Sequence, residues 1–101
     1  MTPEELIEDF ELIDDWEDRF QYVVELGRTL DTLPEEHRVD TNLVQGCQSR
    51  VWLVASTAKD DAGQVRVNFL ADSDAQIVKG LAAIIVKLLS GKTPDEILQS
   101  N

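Results

Sequence analysis

Two apolar, β-favouring runs, Arg50–Thr57 and Val65–Ala71, stand on either side of Lys59-Asp60-Asp61-Ala62-Gly63. A short polar loop with a glycine near its end, set between two such runs, signals a hairpin. The two strands should therefore pair antiparallel. The first run is apolar on both sides of its pleat, which predicts helices on one face and at least partial cover on the other. In the second, Val65, Val67, Phe69 and Ala71 alternate with Arg66, Asn68 and Leu70, the pattern of a half-buried strand. The hairpin limits the rest of the chain, because a small sheet with an apolar face must be covered by whatever precedes and follows it.

Helical patterns lie on both sides. Thr2-Pro3-Glu4-Glu5 reads as a helix start, with Thr as N-cap, Pro at the first helical position and Glu at the third as a capping box; Leu6, Phe10 and Ile13 follow at helical spacing. Asp14 or Asp15 should cap a longer helix whose apolar stripe is Trp16, Phe20, Val23, Gly27 and Leu30. A glycine in such a stripe costs about 1 kcal/mol of helix propensity against alanine, which predicts close approach of another element at Gly27. A polar connector around Pro34 runs from Asp31 to Asn42, with His37 in a solvent-facing turn, and a short strand is expected at Leu43–Gln45. Beyond the hairpin, Ser73-x-x-Gln76 reads as a second capping box. It opens a helix with a buried stripe of Ile77, Leu81, Ile84 and Leu88, widened by Val78, Ile85 and Leu89. This helix should be the most buried of the chain, with Gly80 as a packing glycine and Gly91 as its C-cap. Thr93-Pro94-Asp95-Glu96 repeats the Thr-Pro-x-Glu start for a short last helix. The order helix, helix, hairpin, helix, helix predicts an α+β fold in one domain, residues 1–101, with a small antiparallel sheet packed against helices on one face.

Charge narrows the partners. Twenty acidic and nine basic residues give a net charge of −11, which argues against a nucleic-acid partner, since phosphate backbones are bound by basic surface. It also disfavours anionic membranes. No apolar run is long enough to span a bilayer. The N-terminus MTPEELIEDF lacks the basic region of a signal peptide, so a cytoplasmic protein is expected. One cysteine and one histidine fall short of an intrachain structural zinc site and exclude an intramolecular disulfide; no cofactor is expected.

The single cysteine, Cys47, sits in the stretch NLVQGCQSRVW, Asn42–Trp52. Leu43 and Val44 precede it and Val51 follows it as apolar anchors, and Gln45, Gly46, Gln48 and Ser49 surround it. This composition reads as a tight loop with the thiol near its tip and Gly46 free to take a positive φ. Arg50 is the nearest cation. The residues alone leave two readings open: a small packed core thiol, as lone cysteines often are, or an accessible reactive thiol. A cysteine hydrolase is disfavoured, because hydrolysis needs a positioned base and oxyanion donors and the chain has one histidine.

The motifs GCQS and VW, followed by DSDA and IVKGL and preceded by Trp16-Glu17 and Glu25-Leu26-Gly27, closely resemble the SufE family in order and spacing. The resemblance implies a SufE/IscU-like sandwich and a sulfur-acceptor protein. Such a protein partners a SufS-like, PLP-dependent cysteine desulfurase, stimulates it and delivers sulfur to an iron–sulfur scaffold complex. It assigns Cys47 as the persulfide carrier. Family members normally continue with a further helical segment, whereas this sequence stops at Asn101, as a fragment or a short member would. Gly46, Gln48, Ser49 and Arg50, with Asp72 and Asp74 beside the loop, are the residues expected to dock the desulfurase. On composition alone, Asp72 and Asp74 also suit the positive end of the following helix and Ser73 its N-cap. A protective tuck of Cys47 against apolar surface, released on docking, is the expected resting state. The competing function is a non-catalytic adaptor with a packed Cys47.

Overall fold

The computed structural model describes residues 1–100. In chain order the elements are helices α1 (Pro3–Leu12) and α2 (Trp16–Arg28), two 3-10 turns (Glu35–His37 and Asp40–Asn42), strands β1 (Val51–Lys59) and β2 (Val65–Ser73), and helices α3 (Gln76–Leu89) and α4 (Pro94–Gln99). The fold is α+β. β1 and β2 pair antiparallel from Val51↔Ser73 to Lys59↔Val65. Their turn is closed by Asp60, whose Oδ1 accepts the N–H groups of Ala62 and Gln64, each at 2.9 Å, while Gly63 takes φ +80°. The Cα extents are 44 × 31 × 22 Å. The shortest leaves room for one sheet and one layer of helices about 10–12 Å thick.

Within that layer α3 is central: it packs on β2 and crosses α2. The crossing is made through glycines. A Cβ on Gly27 would lie 2.8 Å from the Gly80 nitrogen, and one on Gly80 would lie 2.0 Å from the Val23 carbonyl oxygen. The two backbones are in contact, which explains a helix-weakening residue in each helix. Val23, Val24 and Gly27 of α2 and Gly80 and Ala83 of α3 are the buried residues of this joint.

Several expectations are corrected by the packing. α3 buries small residues rather than the large stripe. Ile77, Ile84 and Leu88 are half-buried, and Leu81 and Ile85 are 50% and 55% exposed. The helix is apolar nearly all round, and it turns its narrowest face to α2 so that the backbones can meet. The first half of the α2 stripe is uncovered, with Trp16 77% and Phe20 54% exposed. β1 is less covered than its pattern predicts, because α3 lies over β2 and leaves Leu53 and the residues from Ala55 onward exposed. The strand expected at Leu43–Gln45 is a single bridge, Leu43↔Trp52. His37 is half-buried. Leu33, in the connector read as polar, is the largest fully buried side chain.

The caps follow local chemistry, with two exceptions. Asp15 caps α2 through the Glu17 N–H at 2.7 Å. Thr93 and Glu96 form a reciprocal box on α4. At α1 only half of the expected box forms, Thr2 Oγ1 accepting from the Glu5 N–H. Ser73 caps nothing: β2 runs through it and α3 begins at Gln76, with Ala75 at the cap position. α1 is held to α2 by its polar contacts, Tyr22 donating to Asp9 at 2.6 Å and Arg19 Nε to the Ile13 carbonyl at 2.7 Å, and by the edge-on Phe10–Tyr22 pair.

Gly80→Ala is expected to lower stability by about 3 kcal/mol, the upper end for overpacking, because its Cβ meets a backbone carbonyl that no rotamer change can move. Urea unfolding measures this. A loss within 0.5 kcal/mol, the usual spread for surface changes, would show that the two helices do not meet there.

Candidate functional site

The cysteine loop is closed at its base and open at its tip. The Val44 N–H donates to the Val51 carbonyl at 2.9 Å, next to the Leu43↔Trp52 bridge, so residues 45–50 form a loop between two paired ends. Gly46 takes φ +85° inside the turn. A Cβ there would meet nothing within 4 Å, so the constraint on Gly46 is conformational rather than spatial.

The outgoing end of the loop is clasped by the segment after β2. The Arg50 N–H donates to Asp74 Oδ1 at 3.1 Å; the Arg50 carbonyl accepts from Ser73 Oγ at 2.7 Å and from the Asp74 N–H at 3.3 Å. Ser73 Oγ also accepts the Ala75 N–H at 3.2 Å. The serine and aspartate expected to serve the α3 N-terminus therefore fix the start of β1. The structure brings Ser73, Asp74 and Arg50 together, twenty-odd residues apart in sequence.

Asp72 lies inside this arrangement. It is buried, at 7% exposure. Its Oδ2 accepts from Arg38 Nη2, its Oδ1 accepts the Ser73 N–H at 2.8 Å, and Lys79 Nζ is 3.3 Å from Oδ1. Arg38 also reaches Glu35, 3.1 Å from its Nε, and its guanidinium lies 5.2 Å from the Trp52 ring centroid, within cation–π range. Burial acts to raise the Asp72 pKa, but the hydrogen bonds from Arg38, the Ser73 N–H and Lys79 outweigh it and hold the carboxyl below its ordinary 3.8. Asp72 is thus an internal anchor between the connector, β1 and α3, and offers little surface of its own in the free chain. Arg38 was missed in the sequence. Its only signal there is a basic residue in an acidic connector, and two of its partners, Trp52 and Asp72, are 14 and 34 positions away.

Cys47 is exposed, as are Gln45, Gly46, Gln48, Arg50 and Asp74, while Ser49 is half-buried. The expected resting tuck of the thiol is therefore corrected, and Val44, expected to be buried, is 40% exposed. The apolar surface that such a tuck would use is nevertheless present. Cys47 stands on the wall of a groove of about 290 Å³ between the loop, the sheet and α3, lined also by Val51, Leu53, Val78, Leu81 and Ile85. The groove exists where α3, packed on β2, leaves Leu53 of β1 exposed. The Arg50 side chain makes no ion pair among the described residues. Among those residues no three His, Cys, Asp or Glu side chains are grouped to hold a metal ion, and no helix is long and apolar enough to cross a membrane.

An α+β unit that displays one exposed cysteine at the entry to its hairpin defines a thiol-presenting domain. The chain belongs to the SufE family: the profile described as "SufE: Fe-S metabolism associated domain" matches residues 4–101. An uncharacterized SufE-like protein of Rhizobium etli is 49% identical over 94 residues, covering 93% of this chain and 63% of that protein. Another, from Rhizobium meliloti, is 48% identical over 94 residues, covering 93% of this chain and 66% of that protein. The chain thus spans slightly under two thirds of the length of each of these relatives.

Two outcomes follow from the geometry. A carboxyl whose pKa is depressed by folding contributes stability that is fully present above its unfolded pKa, about 4, and is lost as pH falls through its folded pKa. Trp52 emission, read through the Arg38 contact, should change in that acid window, and Asp72→Asn should remove the transition while lowering stability at neutral pH. The loss should be about 1–3 kcal/mol, less than for a fully buried pair, because the Arg38 side chain keeps 24% of its surface in water. An unaltered acid profile in Asp72→Asn would remove Asp72 from the role of anchor. Separately, iodoacetamide should alkylate native Cys47 at the rate found in urea; strong protection in the native state would restore the tucked thiol.

Proposed function

We propose that this chain is a sulfur acceptor of iron–sulfur metabolism, with Cys47 taking a persulfide sulfur from a PLP-dependent cysteine desulfurase. The observation that carries the reading is an exposed cysteine on a loop pinned at both ends, in a chain of the SufE family. In the proposed step the Cys47 thiolate attacks the terminal sulfur of the donor's persulfide. A new S–S bond forms at Cys47, the donor's S–S bond breaks, and the donor cysteine leaves as a thiolate. No external oxidant or reductant is needed, because the transferred sulfur keeps its oxidation state. A thiol or scaffold downstream then removes it by the same exchange.

The surroundings support this division of labour. Access comes from the loop tip, where Gly46, Gln48 and the Arg50 side chain are exposed and, with Ser49 and Asp74, form the proposed contact surface for the desulfurase. Position comes from Ser73, Asp74 and Asp72, which hold the loop's outgoing strand. Iron–sulfur clusters are usually held by four cysteine thiolates, and a chain with one cysteine is better suited to passing sulfur than to holding a cluster. The proposed compartment is the cytoplasm, where thiols are kept reduced. The adaptor reading required a packed Cys47, and the exposure of the thiol removes that premise.

The test is incubation with a cysteine desulfurase and L-cysteine, followed by intact mass with and without reductant. The wild-type chain should gain one sulfur atom that dithiothreitol removes, and should raise the desulfurase's turnover. Cys47→Ser, which keeps the size and polarity of an exposed side chain, should melt with the wild type and gain nothing. A reducible sulfur adduct on Cys47→Ser would refute the assignment.

A further inference from the structure

The cysteine loop has two ends, and the clasp of Ser73 and Asp74 on Arg50 fixes only the outgoing one. The incoming end closes on Val51 and Trp52, through the Val44 N–H on the Val51 carbonyl at 2.9 Å and the Leu43↔Trp52 bridge. In the hairpin ladder Trp52 stands opposite Asp72, so the two side chains share one face of the sheet. Arg38 occupies that face. It donates to Asp72 Oδ2, and its guanidinium lies 5.2 Å from the Trp52 ring centroid. One planar cation thus holds both members of a cross-strand pair.

The backbone around Arg38 carries this grip to the loop. Two 3-10 turns flank it, Glu35–His37 before and Asp40–Asn42 after. The Arg38 N–H donates to the Glu35 carbonyl at 3.0 Å, and the Leu43 N–H to the Asp40 carbonyl at 3.1 Å. Asn42 Nδ2 reaches back to the His37 carbonyl at 2.9 Å. The connector is therefore bonded to itself turn by turn. Among the described residues, every hydrogen bond and ion pair from residues 34–42 to the two strands comes from Arg38. Val51, Leu53 and Ala71 line the groove beside the thiol. They lie on the other face from Trp52 and Asp72, since side chains alternate along a strand. Arg38 holds the loop from behind and is part of neither the groove wall nor the exposed tip.

We propose that Arg38 is a positioning residue for Cys47. By clamping the Trp52↔Asp72 pair it fixes the entry to the cysteine loop, and so sets the direction in which the thiol meets a partner's sulfur. The clamp stands on the geometry alone, and its part in the reaction rests on the sulfur-acceptor reading. Transfer between two proteins needs the attacking sulfur aligned with the bond it breaks, and a displacement of about 1 Å in such an arrangement is costly. Arg38 touches no reacting atom. Its loss should therefore slow transfer within a docked pair, and should leave docking and the intrinsic reactivity of the thiol as they are.

The single cysteine makes the test site-specific. A nitroxide spin label on Cys47 reports the order of the loop without any sulfur chemistry. Arg38→Ala should shift its spectrum toward fast motion. Arg38→Lys, which keeps a charge beside Asp72 but offers no plane to Trp52, should fall between. Sulfur transfer from a cysteine desulfurase is then followed across a range of chain concentrations, at a temperature where melting shows each variant folded. Arg38→Ala should lower the maximal rate by about tenfold with the half-saturating concentration unchanged, and Arg38→Lys should recover part of the rate. Iodoacetamide should alkylate Cys47 equally fast in all three. Tyr22→Phe, which removes the bond to Asp9 in the α1–α2 contact, should change neither spectrum nor rate. An unchanged spectrum in Arg38→Ala would overturn the clamp. A changed spectrum with an undiminished maximal rate, or an effect confined to half-saturation, would overturn the positioning role. A wild-type chain that takes no sulfur would refute the acceptor reading and the positioning role with it, while the label alone decides the clamp.

Discussion

The fold depends on one backbone-to-backbone contact, the crossing of α2 and α3 at Gly27 and Gly80. With a side chain at either position the helices would separate by the width of a methyl group or more, since the missing Cβ atoms fall 2.8 Å and 2.0 Å from the facing backbone. Close approach lets Val23, Val24 and Ala83 become buried around the joint. It also sets where α3 lies over the sheet. The helix covers β2, and β1 is left with an open groove along its inner face.

The site inherits its position from this crossing. Lys79 precedes Gly80, and its ammonium reaches Asp72 at the end of β2. Asp72 in turn holds Arg38, which lies over Trp52 at the start of β1. The next two residues, Ser73 and Asp74, bind the backbone of Arg50 on both its N–H and carbonyl sides. Helix crossing, buried carboxylate and cysteine loop are therefore consecutive links. A carboxylate kept charged inside the fold restrains the loop's outgoing end, and the tip carrying Cys47 stays in solvent. Such a division suits the proposed acceptor role, in which Cys47 would meet another protein's sulfur in a defined orientation.

Much of this was legible in the sequence where the governing chemistry is local. The hairpin follows from two strand patterns and an Asp-Ala-Gly turn, and Thr93-Pro94-Asp95-Glu96 contains the whole α4 cap. Gly27 stands out because it sits in the apolar stripe of α2, and Gly80 because a glycine inside a helix has a packing reason. Periodicity failed where it names a face without saying what covers it: Trp16 and Phe20 lie on the α2 stripe, yet both are more than half exposed among the described residues. The all-round apolar pattern of α3 could not reveal which of its faces would meet α2. Ser-x-x-Gln fits a cap at Ser73, but the strand continues through it and its hydroxyl bonds the Arg50 carbonyl instead. Leu33 and Arg38 were invisible for a related reason. Both sit in a polar connector whose composition gives no sign of burial, and Arg38 finds Trp52 and Asp72 far along the chain.

The central claim, that the pinned loop exists to let Cys47 take sulfur from another protein, is tested most directly by a single-turnover transfer. A cysteine desulfurase loaded with radiolabelled persulfide and freed of L-cysteine is mixed with an equimolar amount of the chain and quenched over time. The account predicts that label leaves the donor as it appears on the peptide containing Cys47, and that reductant then releases it. Label that stays on the donor, or leaves it as free sulfide while Cys47 remains unlabelled, would contradict the account.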